Sequence, residues 1–443
     1  MNVVKLGVGV STVSIHLLLA TPFAADVTRD DVAVWLGQTV VVDAPVAGTT
    51  VGIDDLASLK PWIPPGYFEE FEFPDVVVEI QETADYQDHP SYLAATEHFK
   101  GQAAIGTDGR LENYTAGRPF SPQQITGADP QTGGYMLAWN QIHRWQYYGY
   151  QVDELTMAYV GSSTGRVPLE PKAGLDGGGS LDRILTQSYH RVYLNKLAML
   201  ADQGYRVDVP DSETRFFKDY IEFLDPFNIK GTKFVIERML DPHADDQVNT
   251  YLPTERRVRR VSAQERADSF MGSNGTLDDF EGFSGRVLDY RWTYLGRKPI
   301  LYVVDSKQEA QRTFGPFSRL TNDRWQVRDC HVVEVTSVWE GHPYRSRVLF
   351  VDAQTFGVAL SLVFNKDNLL WKTMQTVYRG VSPDDRTPVS LEASVPSWRG
   401  QVNIDRVTNT ATVVRAHSNT EHPTMSVSAI KRIFSVSSLT SGQ

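Results

Sequence analysis

Between about residues 214 and 378 the chain alternates short apolar-rich runs with polar turns, and no long stretch of helical spacing interrupts them. Runs at 216–223, 233–239, 256–261, 332–339, 345–351, 358–364 and 370–378 have strand length, and the segments between them carry Asp, Asn, Gly and Pro, which accept tight backbone geometry. The pattern predicts a curved antiparallel sheet. Tyr290, Trp292 and Tyr294 alternate with Arg291 and Thr293, so at the two-residue period of a strand three aromatics share one face. An apolar face must be covered, either by the protein's own helices or by a bound apolar molecule.

Upstream the pattern is mixed. Residues 53–59 read as a short helix stopped by Pro61, Pro64 and Pro65, and 100–135 is rich in Gly, Pro, Thr and Asp, which favours irregular loops. Met136, Trp139, Ile142, His143 and Tyr147 fall near helical spacing over 135–148. Residues 152–160 read as a strand, and 180–199 is ambiguous, with Leu181, Ile184, Leu185 and Tyr189 favouring helix. One more strand is expected at 411–415. The expected organisation is a signal segment over 1–25, a mixed region over 26–210 packed on the main body, and the main β body over 211–443.

Residues 1–25 carry Lys5, an apolar run diluted by Ser11, Thr12, Ser14 and His16, and a small-residue end at Ala24 and Ala25. This is the form of a cleavable secretory signal, and the apolar run is shorter than the roughly 20 residues that cross a bilayer. Cleavage after Ala25 removes Lys5 and no acid, taking the formal charge from -11 to -12, which excludes nucleic acid as an expected partner. Cys330 is the single cysteine, so no intramolecular disulfide forms; an exported chain of this size without one fits the periplasm of a Gram-negative bacterium.

Reactive motifs are weak. Gly161, Ser163 and Gly165 match a nucleophile elbow, but the two prolines at 168 and 171 deny it the helix that must follow. Asp241, His243, Asp245 and Asp246 read as a solvated hairpin turn, lacking the spacing and glycine of a calcium loop. Asp278, Asp279 and Glu281 read as exposed loop acids, and Cys330 and His331, adjacent on a strand, point to opposite faces. No metal, thiol or nucleotide motif is present, so no catalytic residue, metal or cofactor is assigned.

The wording of the hairpins is more specific than their pattern. The segments 225–232, 250–261, 269–273 and 278–280, with 347–352 and 368–373 in the same order, resemble the outer-membrane lipoprotein-sorting family. With 113–120 and 138–140 added, the chain resembles the exported bacterial family called domain of unknown function 1329. The resemblance implies an α+β fold, mainly antiparallel: a curved half-barrel sheet with helices packed on its concave face, able to admit acyl chains or other apolar cargo. It also implies a periplasmic relay working with an inner-membrane exporter or an outer-membrane protein.

The resulting expectation is a carrier for a lipid or other apolar molecule, not spanning the membrane and not an enzyme. Trp139, Tyr148, Tyr290, Trp292, Tyr294, Trp339 and Trp371 are the candidate cavity lining, and Arg256, Arg257, Arg259 and Arg260 the candidate docking site for an anionic partner. The alternatives are a hydrolase acting on an apolar or envelope substrate, using Ser163, and a structural envelope protein without a ligand.

Overall fold

A computed structural model describes residues 26–161, 174–262, 264–380, 392–417, 420–421 and 425–440. The expected signal segment and Ser163 lie outside the described residues. Among the described residues, no helix is long and apolar enough to cross a membrane.

Among the described residues the α-helices are α1 (Arg29–Gly37), α2 (Pro90–His98), α3 (Pro122–Gly127), α4 (Pro130–Ile142) and α5 (Val427–Ile433). The first strands are β1 (Thr50–Val51), β2 (Val78–Ile80), β3 (Ala104–Ile105), β4 (Leu111–Glu112), β5 (Gly149–Gly161) and β6 (Ser180–Tyr193). They are followed by β7 (Arg215–Asp225), β8 (Lys233–Met239), β9 (Gln247–Leu252), β10 (Arg257–Val261) and β11 (Tyr290–Tyr302). Next come β12 (Thr313–Phe314), β13 (Leu320–Thr321), β14 (Arg324–Ser337), β15 (Ser346–Asp352) and β16 (Val358–Phe364). The last are β17 (Leu370–Arg379), β18 (Ser397–Asp405), β19 (Thr410–Ala416) and β20 (Thr420–Glu421).

Sixteen of these strands form one sheet, in the order β1-β2-β14-β15-β16-β17-β18-β19-β5-β6-β7-β8-β9-β10, with β11 beside β14 and β20 beside β5. Every pairing is antiparallel except a short parallel contact of β2 with β14. The fold is α+β and mainly antiparallel, with no closed barrel. Residues 180–193, whose apolar spacing favours helix, are the strand β6, because β5 and β7 offer it two partners and its alternate positions face opposite sides of the sheet. A boundary at residue 210 falls between β6 and β7, which pair with each other.

Two consequences of this order position the candidate site. First, β5 pairs with β19, so strands from both ends of the chain meet in the middle of the sheet. Second, β10 and β11 are neighbours in sequence but lie towards opposite ends of the sheet. The chain between them, residues 262–289, must therefore cross the sheet. It does so in short 3-10 turns with left-handed backbone at Met271, Gly272, Glu281 and Gly282. At Gly282 a Cβ would meet Val358 Cβ at 2.6 Å, so only glycine lets the segment lie this close to the sheet.

The central strands β15, β16 and β18 are buried at every position. Alternate residues of β15 divide between two cores: Val348 and Phe350 pack with Trp35 and Trp325, and Leu349 and Val351 pack with Phe283, Trp292 and α4. Cys330 and His331 divide the same way, His331 stacking on Phe356. Helix α4 starts earlier than its apolar spacing predicts, because Asp129 caps it, accepting from the Gln131 and Thr132 N–H groups at 3.1 Å, and Pro130 opens its first turn.

Candidate functional site

The crossing segment is tied to the sheet along its length. Tyr159 of β5 donates to the Met271 carbonyl at 3.0 Å, Lys372 of β17 to the Asn274 carbonyl at 2.8 Å, and Gln401 of β18 to the Asp279 carbonyl at 3.0 Å. Arg238 of β8 donates to the Ser284 carbonyl at 2.7 Å. Between these ties the segment stands off the sheet and leaves a cleft of about 780 Å³, the open space at its mouth included. Its sheet wall is built from alternate positions, among them Leu155 and Met157 on β5, Gln187 and Tyr189 on β6, Phe217 and Ile221 on β7, and Val414 on β19. Its other wall includes Phe270, Leu277 and Phe280 from the crossing segment.

The cleft is not wholly apolar, but its charges are matched. Arg191 holds Asp219 in two bonds of 2.7 and 2.8 Å, its guanidinium lying 4.0 Å over the Phe217 ring. Arg238 takes Asp246 at 2.8 Å, Arg266 takes Asp278 at 2.7 Å and Asp246 at 3.1 Å, and Arg347 takes Asp279 at 2.6 Å. Four arginines thus meet four aspartates, all eight buried. Burial pushes the Asp278 carboxyl up, but Arg266 and the Tyr290 hydroxyl outweigh it and hold it below the usual range. Burial likewise opposes charge on Arg347, and Asp279 more than offsets it.

One polar group in the wall is unspent. Gln187 is buried; its amide nitrogen donates to the Met157 sulfur at 3.6 Å, and its Oε1 has no partner. A thioether only accepts, which fixes the amide orientation and leaves the free group an acceptor.

A second cleft of about 720 Å³, again counting its open mouth, lies on the other side of Arg238, which lines both. Its apolar wall includes Leu111, Trp139, Ile142, Phe216, Leu240 and Val287. Lys196 enters it from a left-handed backbone position (φ 65°), with Nζ donating to the Tyr114 carbonyl at 2.8 Å and lying 5.3 Å from that ring's centre. Burial lowers the Lys196 ammonium, and burial together with that ammonium holds His143 down to about 3, so the imidazole is neutral.

The candidate aromatics are dispersed. Trp139 lines the second cleft and donates to the Gly109 carbonyl at 2.9 Å. Tyr148 packs with Tyr193, Phe216 and Phe217. Tyr290 and Trp292 are taken up by the core beneath α4, and Tyr294 at the edge of that core bonds His331 at 2.9 Å. Trp339 is 39 % exposed, and Trp371 is half-buried, donating to Asp405 at 2.9 Å. Arg256, Arg257, Arg259 and Arg260 are exposed on and beside β10, which pairs with β9 alone; Arg259 meets Glu255 at 2.8 Å.

Asp278, Asp279 and Glu281, read in the sequence as exposed loop acids, are instead buried: the crossing segment turns them onto Arg266, Arg347 and Arg144. Asp246 differs from its turn neighbours in the same way, buried between two arginines. The face of β6 that carries Gln187, Tyr189 and Arg191 escapes notice under a helical reading, and its signal is their spacing of two. Among the described residues, no group of three or more His, Cys, Asp or Glu is arranged to hold a metal.

A family model described as "Protein of unknown function (DUF1329)" matches residues 51–440. No curated protein matches the chain. Among solved structures, a DUF1329 family protein from Desulfovibrio piger is 17% identical with a TM-score of 0.46, covering 70% of this chain and 100% of its own. A putative outer membrane lipoprotein-sorting protein domain from Vibrio parahaemolyticus is 14% identical with a TM-score of 0.45, covering 69% of this chain and 97% of its own. A LolA superfamily protein from Nitrosomonas europaea is 11% identical with a TM-score of 0.39, covering 70% and 100%.

Proposed function

The chain belongs to the DUF1329 family, and we propose that it is a periplasmic carrier that shelters an uncharged apolar molecule in the cleft between the crossing segment and the face of β5–β8, β18 and β19. In this reading the large sheet curves as a half-barrel, and the crossing segment with α4 fills most of its concave side. The observation that carries the reading is the cleft's combination of an apolar wall with fully matched charges. An anionic headgroup entering it would have to break a buried ion pair, which is strongly unfavourable. A neutral molecule breaks none, and a hydroxyl on it finds the free Gln187 acceptor.

The mechanism is partition rather than reaction. Each methylene moved from water contributes about 0.8 kcal/mol, so a chain of about ten carbons reaches useful affinity before the costs of ordering it. Release requires the crossing segment to shift, and the exposed arginines of the β10 edge suit docking on an anionic membrane protein or surface while it does.

Two measurements test the carrier reading. Organic extraction of the purified chain followed by mass spectrometry is expected to yield an apolar molecule, and N-phenyl-1-naphthylamine, an uncharged apolar fluorophore, is expected to bind. Met157→Trp, which fills the cleft, should abolish the fluorophore signal. An empty extract together with no fluorophore binding ends the proposal.

A further inference from the structure

We infer that the second cleft is a separate binding site for a small amphiphile with an anionic head, a carboxylate or phosphate, seated on Lys196. The inference is independent of the carrier reading, because it uses the other side of Arg238 and the opposite electrostatics.

Among the described residues that line the second cleft, Lys196 is a cation without a carboxylate partner. Arg238, in the same lining, is taken by Asp246, and Arg286, also in that lining, is taken by Asp245 and by Asp289, the latter at 2.7 Å. Among the described residues no carboxylate comes within ion-pair distance of Lys196, and the Tyr114 carbonyl takes one of its three donors. Lys196 is half-buried, so water compensates its charge less well than it would a surface lysine. Such a charge in a cleft is stabilised by an anion that enters with it.

The other titratable groups facing the cleft do not compete. His143 is neutral, and Asp241 lies exposed at the rim with its carboxylate accepting the His243 N–H at 3.0 Å. The backbone supports the placement. A left-handed lysine is uncommon, and the Asn195 side chain stabilises this one by accepting the Lys196 N–H at 2.7 Å. Beyond the ammonium, Trp139, Ile142, Phe216 and Leu240 offer an apolar wall to the body of the ligand. An apolar cleft with one convergent charged group is the usual form of a small-molecule site.

Isothermal titration of the purified chain with octanoate, octyl phosphate and 1-octanol at pH 7.5 tests the assignment. In Met157→Trp, whose filled first cleft no longer takes octanol, at least one anion is expected to bind about tenfold or more tighter than octanol, the size of a charge-assisted hydrogen bond, and the tighter anion identifies the head chemistry. Lys196→Met should erase that preference and Lys196→Arg should keep it. Ala244→Trp, which obstructs the cleft without touching its charge, should weaken the anions about tenfold. Met157→Trp in the first cleft should leave them unchanged, so a failed carrier reading and a failed anion site give different results. Equal affinities for the three compounds in Met157→Trp, or anion binding unmoved in both Lys196→Met and Ala244→Trp, would overturn the inference.

Discussion

Glu70 is 1 % exposed in a 3-10 turn between Phe68 and Phe71, with the Thr373 hydroxyl donating to it. Arg319 nearby directs its guanidinium to the backbone carbonyls of Glu70 at 2.8 Å and Glu69 at 3.0 Å. Burial therefore dominates, and despite Thr373, Arg406 and Arg319 it raises the Glu70 carboxyl from 4.5 to about 8. The folded state then holds a proton that the unfolded state gives up. Stability from this group is fully present below pH 4.5 and is lost as pH rises through about 8. Urea unfolding between pH 5 and 9 should show a decline in the native chain that is flatter in Glu70→Gln; identical slopes would remove Glu70 as its cause. Asp279 makes a different case, since it receives Arg347, the Tyr344 hydroxyl and the Thr276 N–H and hydroxyl together. Asp279→Ala strands a buried guanidinium and should cost about 3–5 kcal/mol by urea unfolding, whereas replacing both Asp279 and Arg347 by Leu should cost less than the single change.

Among the elements, α4 meets β11 through its glycines. A Cβ on Gly134 would lie 2.6 Å from the Trp292 carbonyl carbon. Gly→Ala within a helix normally stabilises by up to about 1 kcal/mol, but here the clash with backbone reverses the sign, and Gly134→Ala should destabilise by about 1–3 kcal/mol in a thermal or urea melt. The strands of this molecule could be read from the sequence because their apolar runs are short and their turns carry the residues turns require, and β8 and β16 match the expected runs at 233–239 and 358–364 residue for residue. The ambiguity of 180–199 has a physical source: the local spacing of Leu181, Ile184, Leu185 and Tyr189 fits a helix, but pairing of 180–193 on both edges, which no local pattern reports, decides for a strand there. The candidate site was less legible still. Its walls come from β5 to β8, β18 and β19, and nothing local marks Asp279 as facing Arg347 or Lys196 as lacking a carboxylate.

For the molecule as a whole, burial is uneven. Strands β15 and β16 are covered on both faces, while residues 264–289 hold only short 3-10 turns and one isolated bridge and include the exposed Asp268 and Ser269. Openings of low free energy should therefore begin in the crossing segment. Hydrogen exchange is expected to show amides of 262–289 exchanging well before those of β15 and β16, and an uncharged apolar ligand in the first cleft should slow the former selectively. Uniform exchange across both regions would contradict the view that this segment is what moves.

The pairing of β5 with β19 also dictates an order of manufacture. A nascent chain delivers Leu155 and Met157 early, yet the neighbouring edge stays unoccupied until residues 410–416 emerge. No contiguous N-terminal fragment can complete this architecture, and a product terminated before residue 410 would present a bare edge ready to join another such fragment. The middle of the sheet closes only once β19 is in place.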